Sequence, residues 1–208
     1  LENALMKVAP LITSPENKIA DDNDVFWGLL EHSKEISNDQ MQELIAKIIA
    51  GEYNVPGTYS MNTLQIIKKL GKEELELFER IGSLFVNVVY YPQPFLQIPQ
   101  RLFGTQEQAR DLMEKVKIDF GGLQILQSLG LFLPNPEDMI VTNTDKKNLL
   151  IQYFDKKLIF SPETDHCEKI QLQHYYYLST AGEQIFKHLN PKYVEEYYVW
   201  LRENYKIH

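Results

Sequence analysis

Residues 37–71 constrain the fold more than any other stretch, because they read as two amphipathic helices joined by a Pro-Gly turn. Ser37 with Gln40 has the spacing of a capping box, in which each side chain answers an orphan backbone donor of the first turn. Met41, Leu44, Ile45, Ile48 and Ile49 recur at helical spacing and form one apolar stripe. Gly51 stands where a left-handed residue ends a helix. Pro56-Gly57 carries the chemistry of a tight turn. Ser60 is placed to cap a second helix bearing Leu64, Ile67 and Leu70, with Gly71 to stop it. So short a link packs the pair as a hairpin. Glu52, at the end of the first helix, is open to two readings: a solvated helix-end carboxylate, or a buried one held by hydrogen bonds.

Composition removes several classes. With 208 residues, 44% of them hydrophobic, the chain can bury one good core or two small ones. A formal charge of −8 disfavours general polyanion binding, which draws on Lys and Arg against phosphates. The single cysteine, Cys167, excludes an intramolecular disulfide and suits a reducing cytoplasm. No stretch approaches the ~20 apolar residues of a spanning helix. The chain opens on Leu1 rather than Met, the expectation for a trimmed piece, so the lack of a leader pattern says little.

Along the chain, one helical turn is expected within residues 1–12 before Pro10, and Asp21-Asp22-Asn23-Asp24 lead into a helix expected over 25–34. Phe26, Trp27, Leu29 and Leu30 of that helix are expected in the core. A long helix is expected over 72–90, ended by the prolines of 92–94. Tyr91 and Phe95, in the aromatic, proline-rich stretch up to Pro99, are candidates for a partner contact or for a packed linker. Helices are expected over 105–116 and 120–128, and strands over 139–142, 149–154 and 158–160. The last two form a hairpin around Asp155-Lys156-Lys157. A further strand over 175–178 runs into a helix that starts at Ser179. After Asn190-Pro191 a last helix carries a stripe of Tyr193, Val194, Tyr197, Tyr198 and Leu201, with Trp200 beside it; Tyr197 and Trp200 are candidates for an interface or for docking on their own domain.

Three resemblances add to this reading. Trp27, Ser37-x-x-x-Met41-Gln42, Ile48-Ile49-Ala50-Gly51-Glu52 and Pro56-Gly57-x-x-Ser60-x-x-Thr63-Leu64 resemble the signature of an uncharacterised bacterial domain-of-unknown-function family. That resemblance covers residues 24–70, implies a bacterial intracellular protein and carries no activity. A looser similarity is to helical domains of abortive-infection proteins. The order helix, L-x-x-L-G-L, β-ribbon, L-S-x-x-G and helix in the second half is similar to winged-helix domains, whose helix before the ribbon enters DNA. Here that helix, D-F-G-G-L-Q-I-L-Q-S, has no Lys or Arg and two consecutive glycines. Lys146, Lys147, Lys156 and Lys157 give the ribbon some basic character, which serves a contact or only protects a sheet edge.

Enzyme chemistry has thin support. Asp145 with Asp155-x-Lys157 loosely matches the acids and lysine that hold Mg²⁺ in nucleases, but a hairpin turn is the simpler reading. Asp165-His166-Cys167-Glu168 with His174 offers zinc-type ligands without the paired spacing a structural site needs. There is no G-x-G-x-x-G and no P-loop.

The expectation is a mainly α protein with a small β component, α+β in class, with a helical subdomain over 1–91 and a winged-helix-like subdomain over 100–208. Its expected role is a non-catalytic interaction or regulatory module with no cofactor and no metal, working through a protein partner or self-association. A winged-helix DNA-binding regulator and a metal-dependent nuclease are the alternatives; nucleic acid is open but not favoured, and no membrane is expected.

Overall fold

The structure is a computed structural model, described here for residues 2–17, 19–88, 95–97, 112–118, 120–133, 137–142, 149–160 and 169–204. The first half is helical: α1 (Glu2–Val8) with a 3-10 turn at Ala9–Leu11, α2 (Asp24–Ser33), α3 (Asp39–Asn54), α4 (Met61–Lys69) and α5 (Lys72–Gly82). Then come β1 (Phe85–Val88), β2 (Phe95–Gln97), a helical turn at 112–115 and α6 (Phe120–Ser128). The strands β3 (Glu137–Thr142), β4 (Leu149–Tyr153), β5 (Lys156–Phe160) and β6 (Lys169–Tyr177) precede α7 (Thr180–Phe186) and α8 (Glu195–Asn204). The protein is mainly helical and α+β in class. Its described strands form one antiparallel sheet in the order β3-β6-β2-β1-β4-β5.

Local chemistry accounts for most helix starts. Asn23 caps α2 through Phe26 N–H, Ser60 caps α4 through Thr63 N–H, and Ser179 caps α7 through Gly182 N–H. The cap of α3 is Asn38, one residue beyond the expected Ser37, and its side-chain oxygen accepts from Met41 N–H at 3.0 Å. Gly51 does not end α3, which continues to Asn54. A Cβ on Gly51 would lie 2.7 Å from the Tyr59 hydroxyl, so this glycine is explained by the close approach of a ring. Gly71 is the N-cap of α5, where Glu74 accepts its N–H at 3.1 Å.

The long helix expected over 72–90 breaks at Gly82, and the chain becomes β1. Helical periodicity over 81–88 cannot be told from a buried strand, and pairing decides it: Phe85 and Val86 sit opposite β2, Asn87 and Val88 opposite β4. The β4–β5 hairpin forms as expected, with Tyr153 opposite Lys156 and Phe154 at φ 52° in the two-residue turn.

The core draws on both halves of the chain. Phe78, Phe85, Phe132 and Phe186 pack ring against ring, with centroids 4.6 Å apart for Phe85–Phe186 and 5.8 Å for Phe78–Phe132. Leu123 and Leu126 of α6 are fully buried, and the Ser179 N–H donates to Leu131 carbonyl at 2.9 Å, holding α7 against the exit of α6. Trp27 departs from expectation: it is 45% exposed, while Phe26 and Leu29 take the inward face of α2. Among the described residues no helix is long and apolar enough to cross a membrane.

Candidate functional site

A dense polar cluster lies where α3, the 55–60 turn and α7 meet. Glu52, in the last turn of α3, is 1% exposed. Its Oε1 accepts from Gly57 N–H at 2.7 Å and from Asn23 Nδ2 at 3.0 Å, and its Oε2 accepts from Tyr59 N–H at 3.0 Å. A buried carboxylate is tolerable on such terms, with both oxygens answered by N–H donors. Of the two readings open for Glu52, the structure shows the buried one. The carboxylate thereby fixes the Pro56-Gly57 turn, with Gly57 at φ 84°, and anchors the cap of α2.

Tyr59 then reaches across to the second half. Its hydroxyl is 2.6 Å from His188 Nε2, and the Lys187 ammonium stands 4.7 Å from its ring centre. Lys47 donates to the His188 carbonyl at 3.2 Å. Gln184 of α7 donates to Thr58 carbonyl at 2.8 Å and accepts from the Thr63 hydroxyl. Burial, with the Glu52 charge added, pushes the Tyr59 phenol up to about 12. Burial, helped by the Lys187 and Lys47 charges, pulls His188 down to about 4. Near neutral pH the proton therefore stays on Tyr59 and the imidazole is neutral, accepting the phenol O–H when its own proton is on Nδ1. Neither group is tuned for proton transfer at pH 7. The cluster is built to hold a turn and a helix together.

The other candidates are placed as follows. Tyr197 is fully buried and stacks on Trp200, itself 5% exposed, at 5.9 Å between ring centres. Both belong to the core that docks α8. Lys156 and Lys157 are exposed at the start of β5, with Lys156 3.6 Å from Asp155. Phe95 lies on β2, opposite Val86 and Tyr177. Tyr91, Asp145, Asp165, His166, Cys167 and Glu168 lie outside the described residues. Among the described residues no group of three His, Cys, Asp or Glu could hold a metal ion; in the acidic 21–24 loop, Asn23 is committed to the α2 cap and to Glu52.

Two features were not anticipated from sequence. Tyr153 is buried, donates to Ser83 carbonyl at 2.6 Å and accepts from Val194 N–H at 3.0 Å, tying β4 to α5 and to the start of α8. An open groove of about 350 Å³ runs between α5 and α6, lined by Glu73, Glu74 and Arg80 of α5 and by Lys117. Neither leaves a local pattern, since both arise from elements distant in sequence.

A family model described as "Protein of unknown function (DUF2806)" matches residues 3–202. The chain belongs to this family. The match spans both halves of the DUF2806 chain, α1 through most of α8. No curated protein and no solved structure matches.

Proposed function

We propose that this DUF2806 protein is a non-catalytic protein-interaction or regulatory module of a bacterial cytoplasm. The observation that carries the reading is the state of the Glu52 cluster: its polar groups are spent on holding the turn, with Tyr59 and His188 shifted away from acid-base work. The signature residues Gly51, Glu52, Gly57, Ser60 and Thr63 thus act in the fold. The similarity to abortive-infection helical domains supports a defence-associated role. We propose a helical part over 1–91 and a winged-helix-like part over 100–208 that share one core and are joined by the pairing of β1 with β4. That wing serves protein contacts, because its helix before the ribbon lacks cations.

The test is capture of partners on the tagged protein from its native host, with self-association read by sedimentation. A stable, stoichiometric partner or dimer is the expected result. Mg²⁺-dependent cleavage of DNA or RNA by the purified protein would replace this reading with the nuclease, and a low-salt mobility shift lost on Lys156→Ala/Lys157→Ala would replace it with the DNA-binding regulator.

A further inference from the structure

Helix α2 turns an unusual face to solvent. Trp27 is 45% exposed although its neighbours Phe26 and Leu29 are buried. The indole is nevertheless held in place: its Nε1–H donates to Ala20 carbonyl at 3.3 Å, and its ring meets Phe26 edge-on at 5.1 Å between centres. Asp24 and Glu31 lie one turn to either side on the same exposed face, and exposed Asp21 and Asp22 follow Ala20. Glu31 pairs with Lys34, whereas Asp21, Asp22 and Asp24 have no cation partner among the described residues. A held, half-open indole with exposed carboxylates before it and on its own helix face is a complement for a cation on an apolar stem.

We propose that the α2 face centred on Trp27 is a docking surface for a basic protein segment, with an Arg or Lys head group over the indole and its neighbours against Asp21, Asp22 and Asp24. This rests on the interaction-module reading and names the chemistry of the partner. The indole face attracts a cation through its quadrupole, Arg most often, and the carboxylates steer and orient the approach. Trp is also among the residues enriched at binding hot spots. The same carboxylates repel nucleic-acid phosphates and anionic lipid. A second copy of this chain is a poor occupant, since each carries −8.

The test measures binding of a fluorescent oligo-arginine peptide by anisotropy, with oligo-glutamate as control. Trp27 is half-exposed and packs on Phe26, so circular dichroism and thermal melting first establish that each Trp27 variant is folded. The proposal expects saturable binding of oligo-arginine alone, weakened about tenfold by Trp27→Ala and much less by Trp27→Phe. Asp21→Asn/Asp22→Asn/Asp24→Asn should weaken it comparably and flatten its salt dependence. Equal loss on neutralising the exposed Glu73, Glu114 and Glu203 overturns the proposal, because plain net-charge attraction would then suffice. Absent or Trp27-independent binding also overturns it. If host partners are still captured equally by wild type and Trp27→Ala, this surface is excluded while the interaction reading stands; catalytic turnover would remove the parent reading itself.

Discussion

The Glu52 carboxylate accepts the backbone N–H of Tyr59 at 3.0 Å, closing the Pro56-Gly57 turn from inside the protein. A turn of this kind is usually stabilised by its own backbone. This one has its own backbone bond, from Thr58 N–H to Val55 carbonyl at 3.2 Å, and the buried Glu52 side chain adds to it, also receiving Gly57 N–H and Asn23 Nδ2.

Glu52→Ala should therefore cost about 3–5 kcal/mol, because it leaves buried N–H donors unanswered and opens a cavity. Urea unfolding followed by circular dichroism measures it. A loss below about 0.5 kcal/mol would place the carboxylate in solvent.

Gly57→Val tests the turn by another route. No atom lies within 4 Å of the position a Cβ would take, so the cost is backbone strain at φ 84° alone. It should be about 1–2 kcal/mol, with Gly57→Asn costing less because Asn tolerates the left-handed region. Equal melting temperatures for all three proteins would show that the strain is absent.

His188 makes stability depend on pH with a defined sign. Its folded-state pKa of about 4 lies below the ordinary 6.5, so between those values the unfolded chain binds a proton that the folded protein refuses. Its contribution is complete above about pH 6.5 and declines as pH falls towards 4. His188→Gln keeps an acceptor for Tyr59 and removes the titration. The melting-temperature difference between wild type and variant should then shift against wild type across that window, and a constant difference would contradict the buried neutral imidazole.

In the second half, Leu126→Ala should cost roughly 2–5 kcal/mol, since the side chain is fully buried in the α6 face of the core. Lys156→Ala/Lys157→Ala should change stability by less than about 0.5 kcal/mol, because both residues are exposed at the hairpin. A destabilised double variant would mean that these lysines brace the sheet.

The sequence by itself determined the elements whose signals are local. The caps at Ser60 and Ser179, the stripe from Met41 to Ile49, and the hairpin at Asp155 follow rules that reach four residues or fewer, and they stand as read. The pattern around Gly51 and Glu52 was visible too, but its meaning was not. Tertiary structure decided that Gly51 stays helical to admit the Tyr59 ring, that Glu52 turns inward, and that residues 85–88 pair as a strand. It also brought Tyr59 to His188 across 129 residues and left Trp27 in solvent. The physical reason is one of range. Backbone capping and periodicity are settled within a turn or two, whereas burial depends on which surfaces meet, and an apolar stripe does not record which of its members the partner will cover.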